Sequence, residues 1–286
     1  MPGTTINSAL LLLVLGNAMA VVSDVFVKVI GSGAPVFQFI FVRSLITLLL
    51  LLPFLRQLDR SGFFSGFGVH LLRSHMHLAG VFCMVIALTS LPLGTANAVF
   101  YVAPIIVMLL SAAVFREKLT VLSLLAGFSG FAGILVILRP DEFSWTAFSA
   151  LGAAVALAVS AVLVRMLPAA QSTVHKLFLN YLLLLPATAL LMWWEGAAPD
   201  PAILISALGS AAFILGYNTS VLLAYRTVEA SRVTSAEYTG LIWAVLIGWL
   251  WFNETPDLWF ALGSAMIVVP LLLIGLQQSA RTGHPR

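Results

Sequence analysis

LTSLPLGTANAVFYVAPIIVMLLSAAVFREKLT, residues 88–120, is an apolar run long enough to cross a membrane, yet it carries Asn97, Tyr101 and Pro104 and closes on Arg116, Glu117 and Lys118. The chain answers it once, with AYRTVEASRVTSAEYTGLIWAVLIGWLWFNET at 224–255. Ala87 falls on Ala224, Tyr101 on Tyr238, Ile105 on Ile242, Leu109 on Leu246, Phe115 on Phe252 and Glu117 on Glu254, each pair 137 positions apart. The same offset lays SDVFVK (23–28) on SAVLVR (160–165), with Lys28 over Arg165, and puts Phe41 over Phe178. One ungapped offset over most of the chain reads as an internal duplication.

The composition sets the class. Of 286 residues 61% are hydrophobic and 9% charged, with mean hydropathy +1.06. A soluble domain carries about 25% charged residues, so the chain is expected to be an integral membrane protein. The net charge of +3 comes from scattered bases, which argues against a nucleic-acid partner. A single cysteine, Cys83, rules out an intrachain disulfide and makes redox chemistry unexpected. The N-terminal MPGTTINSALLLLV has no Lys or Arg before its apolar run and no evident cleavage site, so it reads as an uncleaved first span.

Charged, Gly and Pro breaks divide the chain into ten candidate spans, near 8–30, 35–55, 71–91, 95–115, 119–139, 144–167, 173–194, 201–224, 234–252 and 257–278. The longest polar interruption, RQLDRSGFFSGFG (56–68), is expected at the surface. With the N-terminus inside, Arg56, Arg60, Arg73, Arg116, Lys118, Arg165, Lys176, Arg226, Arg232, Arg281 and Arg286 face the cytoplasm, while only Lys28 and Arg139 lie opposite and Arg43 sits within span two. That bias puts both termini in the cytoplasm. Trp145, Trp193, Trp194, Trp249, Trp251 and Trp259 then mark the outer interface, and Trp243 alone lies deep.

Each half holds five spans. Five is odd, so the second half enters the membrane from the opposite side, giving an inverted-topology repeat of the kind many secondary transporters use. The expected fold is all-α, ten transmembrane helices in two inverted five-helix repeats. This five-plus-five plan, the run closing on Glu117, its echo closing on Glu254 and SDVFVK in the first span resemble the drug/metabolite transporter superfamily, in particular its EamA-type ten-span members. The resemblance covers the whole chain and implies repeats at 1–140 and 141–286. It also implies export or exchange of small metabolites, commonly amino acids as in bacterial (aromatic) amino-acid exporters, through a cavity between the halves. The second copy departs from the pattern: Leu241 replaces the proline, and Asn253 and Thr255 replace the flanking bases.

Polar groups inside hydrocarbon are costly and mark function. Asn97, Tyr101 and Pro104 follow i, i+4, i+7 spacing and share a helix face. They read as a cavity wall with a hinge at Pro104, or as interhelical glue with a structural kink. In the echo Thr234, Tyr238 and Ile242 take that face. Glu237, about one turn inside its span, is placed either to hold an ammonium group or proton, or to pair with Arg232 or Arg226. Trp243 suits stacking on an aromatic or cationic substrate, or packing. Asp24 and Lys28 are an i, i+4 pair that can neutralise each other. Asp24 with Arg43 suits a zwitterion site, an external gate or a structural ion pair. His75 and His77 lie on nearly opposite faces, and His70 and His77 are two turns apart, so no metal site is expected. His77 is a candidate cavity residue. Asn17, Ser160 and Asn180 read as helix glue before ligands. Glu117 and Glu254, at symmetric span ends, suit capping, loop closure or a bridge to nearby bases.

The rivals are weaker. GFSG at 127–130 matches a membrane serine protease motif around Ser129, but the later histidines are His175, at a span edge, and His284, in the tail. Such a nucleophile needs a base within reach, so no enzyme is expected and Gly127, Gly130 and Gly133 read as a packing face. No selectivity filter or ring of like charge supports a channel, and no G-x-x-x-x-G-K-[ST] supports a nucleotide-driven pump. NTS at 218–220 and NET at 253–255 match the glycosylation sequon, but one is within a span and the other abuts it. The reading is a secondary carrier of small metabolites, amino acids foremost, working by alternating access in the inner membrane. Another metabolite, a cationic drug or a channel are the alternatives. Substrate contact is expected from His77, Asn97, Tyr101, Glu237, Tyr238 and Trp243. The expected partners are a small molecule and membrane lipid; no cofactor and no obligatory protein partner is implied.

Overall fold

The computed structural model describes residues 6–59, 62–116, 121–138, 145–225 and 239–282. Their helices are α1 (Ile6–Lys28), α2 (Val36–Leu51, continued by a 3-10 turn to Gln57), α3 (Phe67–Ser90), α4 (Leu93–Phe100), α5 (Ala103–Phe115), α6 (Val121–Leu138), α7 (Trp145–Met166), α8 (Thr173–Glu195), α9 (Pro201–Tyr225), α10 (Thr239–Phe252) and α11 (Leu258–Thr282). Seven helical stretches are long and apolar enough to cross a membrane, Leu93–Phe115 counting as one, and Leu124–Leu138, Thr239–Phe252 and Leu258–Pro270 are shorter apolar helices. Together they account for the ten expected spans of an integral membrane protein.

The fourth span is broken. Tyr101 and Val102 form a turn between α4 and α5, closed by Tyr101 N–H to Asn97 O at 3.0 Å and Val102 N–H to Val99 O at 3.1 Å. Pro104 then lies in the first turn of α5, where its missing N–H leaves no gap in the hydrogen-bond ladder. A proline ring crowds the carbonyl four residues earlier, so the helix yields just before it.

The duplicated halves interlock. α1 packs along α9 and α3 along α7, while α6 runs against α11. A methyl placed on Gly16 would lie 2.9 Å from Ser220 Cβ, and one on Gly216 2.8 Å from Met19 Sδ. In the α3–α7 seam the same operation on Gly152 and Gly80 meets Cys83 Sγ and Ala156 Cβ, each at 3.0 Å. The sequence offset carries Cys83 onto Ser220 and Met19 onto Ala156, so one seam is built twice. Small residues there let the backbones approach and gain dispersion contact, the main attraction between helices in lipid. Between α6 and α11 a methyl on Gly133 would lie 2.7 Å from Gly263 O, and the Ser129 hydroxyl donates to Met266 O at 2.7 Å. The GFSG segment thus serves packing, with Ser129 engaged by a backbone carbonyl.

α1, α3, α6, α8 and α10 run toward one end of the bundle, which holds Lys28, Glu195 and Glu254; the other spans run away from it. α7, the repeat of α1, therefore runs opposite to it, as an inverted repeat requires. The six expected belt tryptophans are exposed, and all six lie on helix segments at this Lys28 end. At the far end Asp59, Phe63 and Ser65 are stitched to the second half. His175 Nδ1 accepts from Asp59 N–H at 3.2 Å, which leaves its Nε2–H to donate to Phe63 O at 3.0 Å. Gln171 joins His70 at 2.9 Å and donates to Ser65 O at 3.0 Å.

Candidate functional site

The two halves are tied together at the Lys28 end. Lys28 Nζ meets Glu254 Oε1 at 2.8 Å and donates to Leu91 O at 2.7 Å. It also lies 5.3 Å from the centre of the Phe252 ring. The second carboxylate oxygen of Glu254 accepts from Leu93 N–H at 2.6 Å. Leu93 opens α4, and Pro92 before it supplies no side-chain cap. A helix start left without partners attracts negative charge, so the acid of the second half satisfies a first-half terminus. Glu254 bridges a base, caps a helix and closes a loop together. A second tie runs alongside it: Glu195 accepts from Phe37 N–H at 3.0 Å and Gln38 N–H at 2.8 Å, capping α2 from α8.

Asp24 and Lys28 do not neutralise each other within α1. Lys28 has turned to Glu254, and Asp24 Oδ2 accepts from Asn97 Nδ2 at 3.1 Å, with the same amide also donating to Leu93 O at 3.1 Å. Asp24 and Arg43 lie within electrostatic reach of each other, but no ion pair joins them among the described residues. Arg43 is only 6% exposed, and its Nε has no hydrogen-bond partner. His77 stands edge-on to Tyr181, ring centres 5.5 Å apart, and its Nε2 is also without a partner.

Tyr101 and Trp243 pack against the main apolar core. A methyl on Gly240 would run into the Tyr101 hydroxyl and lie 3.4 Å from Asn17 Oδ1. The helix break, the phenol and the start of α10 therefore meet at one point between the halves. Glu237 and Tyr238 lie outside the described residues, as does Glu117. Of the expected site residues, Asp24 and Asn97 form one contact, with Arg43 within electrostatic reach of both Asp24 and His77. Tyr101 sits instead against α10.

Two cavities flank this interior. One of about 530 Å³ opens at the Lys28 end, lined by Gly94, Thr95, Gly248, Glu254, Asp257 and Phe260 among others. The other, about 510 Å³, is an apolar crevice between α10 and α11. Neither lining includes an expected substrate residue.

Sequence reading missed four features: Arg73, Tyr181, the Lys28–Glu254 partnership and the close approach at Gly240. Arg73 was detectable, because it and His77 are i, i+4 and share the inner face of α3. The partnership also left a trace, since the offset lays Lys28 on Arg165 and Glu254 on Glu117, a base and an acid at both symmetric ends.

The model of the EamA-like transporter family matches the chain twice, over residues 7–139 and 144–276. A riboflavin transporter of Brucella anthropi is 29% identical over 259 residues, covering 87% of this chain and 90% of the relative. A pseudopaline exporter of Pseudomonas aeruginosa is 26% identical over 276 residues, covering 94% and 96%. An S-adenosylmethionine uptake transporter of Rickettsia prowazekii is 24% identical over 259 residues, covering 88% and 87%.

Proposed function

The chain belongs to the EamA-like transporter family, and on that premise we propose that it is a secondary carrier that exports or exchanges amino acids by alternating access between its halves, 1–140 and 141–286. The observation that carries this reading is the Asp24–Asn97–Arg43 group. It sets a carboxylate and a buried guanidinium within electrostatic reach of each other without an ion pair between them among the described residues. An amino-acid zwitterion supplies the missing counter-charges, its ammonium to Asp24 and its carboxylate to Arg43. Tyr101 and Trp243, with Glu237 and Tyr238 from the segment before α10, complete the proposed wall around the side chain, and the turn before Pro104 acts as the hinge.

The Lys28–Glu254 closure supports alternating access, since a carrier needs an end that the halves can shut. The Lys and Arg distribution supports an inner-membrane orientation with both termini cytoplasmic, which puts the Lys28 end outside. The relatives' names favour a second reading, transport of another small metabolite: they specify riboflavin, pseudopaline and S-adenosylmethionine, and both uptake and export.

Counterflow in proteoliposomes tests the proposal. Vesicles loaded with unlabelled amino acids should accumulate a labelled one without an imposed gradient, and Asp24→Asn and Glu237→Gln should reduce it at least tenfold. Folded protein that moves no amino acid would eliminate this reading and leave riboflavin and S-adenosylmethionine as the next substrates to assay.

A further inference from the structure

We propose that Arg43, Arg73 and His77, backed by Tyr181, form a buried oxyanion subsite that receives a carboxylate or phosphate group of the transported molecule. This rests on the carrier reading above and goes further, since it requires a negatively charged group on the substrate whatever the rest of it is.

The four side chains come from three spans. Arg43 lies on α2, Arg73 and His77 on α3 and Tyr181 on α8. Tyr181 is 5% exposed, touches the His77 ring and lies within electrostatic reach of both guanidiniums. His77 in turn lies within reach of both. Three nitrogens in this group are buried and without a partner: Arg43 Nε, Arg73 Nε and His77 Nε2. Native proteins rarely leave buried donors open, and each such case calls for an explanation.

Structural roles account for part of the cluster only. Arg73 Nη1 donates to Lys176 O at 3.1 Å, which fixes the head of the side chain and leaves Nε free. Asp24 is the acid within electrostatic reach of Arg43, and Asn97 already holds it. No carboxylate acts on Arg73 or His77 among the described residues. Two guanidiniums in membrane spans without paired acids are costly. A bound oxyanion removes that cost. The Nε edge of an arginine is one side of the fork that grips a carboxylate or phosphate through two parallel bonds, and both forks here are open on that edge.

The test uses full-length protein in detergent, with thermal unfolding as the readout and three probes: phenylalanine, its neutral amide and inorganic phosphate. Phenylalanine or phosphate should raise the melting temperature of the wild type, and the amide should not. A preference between the two anions tells carboxylate from phosphate. Arg43→Gln and Arg73→Gln should weaken the effective probe by about tenfold to a hundredfold, the scale of a lost charged hydrogen bond. Arg56→Gln, at an exposed base, should leave the shift intact. If a glutamine variant fails to fold, Arg43→Lys carries the test, because it keeps the charge and loses the fork, and its affinity should fall between the two. The subsite is refuted if neither anion stabilises the wild type, or if the stabilisation survives loss of both arginines. Anion binding without any counterflow would sink the carrier reading and leave the subsite standing. Counterflow of neutral solutes with no anion effect would do the reverse.

Discussion

Replacing Glu254 with glutamine keeps the side chain's size and removes its charge. The carboxylate now holds the Lys28 ammonium at 2.8 Å and the Leu93 N–H at 2.6 Å. The glutamine oxygen still accepts from Leu93, while Lys28 retains only its carbonyl contacts and the Phe252 ring. A hydrogen bond to a charged group contributes about 1.5–3 kcal/mol. The two side chains are 12% and 19% exposed, so screening trims this to about 2 kcal/mol. At about 1.4 kcal/mol per tenfold, the ratio of closed to open molecules falls about thirtyfold. A protein closed at about 99:1 would then have roughly a fifth to a quarter of its molecules open at the Lys28 end. Pulsed electron–electron resonance reads this directly. Nitroxides on Val29→Cys and Leu258→Cys sit on exposed positions of the two halves, 53% and 70% accessible, and Cys83→Ser removes the native thiol. A longer second distance should appear in Glu254→Gln and in Lys28→Met. Distance distributions matching the parent in both, from monodisperse protein, would refute the view that this pair holds the end shut.

Three further outcomes follow from the packing. Gly133→Val drives a side chain toward the Gly263 carbonyl and Ile267, and should cost about 1–3 kcal/mol; Gly68→Ala, with open space around it, should leave the melting temperature unchanged or raised. Gly240→Ala forces the Tyr101 hydroxyl out of place and should lower transport, and Tyr101→Phe should restore it; failure of that rescue would mean the hydroxyl is not the obstacle. Glu195→Ala uncaps α2 and should lower unfolding free energy by about 1–2 kcal/mol, seen as a fall in melting temperature by scanning fluorimetry.

Depth along the membrane and the inverted direction of the second half were legible in the sequence, and the partners of individual side chains were not. The ten spans emerged because Gly, Pro and charged residues interrupt otherwise apolar runs, and the tryptophan belt followed from the same count. The inverted repeat was readable from the 137-residue offset, and the doubled seam of Gly16–Ser220 and Gly152–Cys83 is its physical counterpart. Partner choice was hidden. A local rule pairs Asp24 with Lys28 because they are one turn apart, but tertiary packing brings Glu254 to within 2.8 Å of Lys28 and assigns Asp24 to Asn97. Arg73 was counted as an end-of-span base for orientation, whereas its shared face with His77 turns it inward. The position of Pro104 announced a kink, and the break falls at Tyr101–Val102 because the turn before the proline is the one that must give way.

The two ends of the bundle are built from matching parts. At one, Lys28 of the first half lies over Phe252 of the second, 5.3 Å from the ring centre. At the other, Arg165 of the second half lies 4.2 Å from the centre of Phe115 in the first and donates to Ser111 at 3.0 Å. The offset carries Lys28 onto Arg165 and Phe252 onto Phe115, so one base-on-ring contact joins the halves at both ends in inverted order. Such contacts are worth about 0.5–2 kcal/mol each, small enough to break and reform in a working cycle. A duplicated chain therefore needs no separate design for its two closures. In the alternating-access cycle proposed above, each end uses the same contact in turn, and a ligand that binds the two arrangements unequally is sufficient to shift the balance between them.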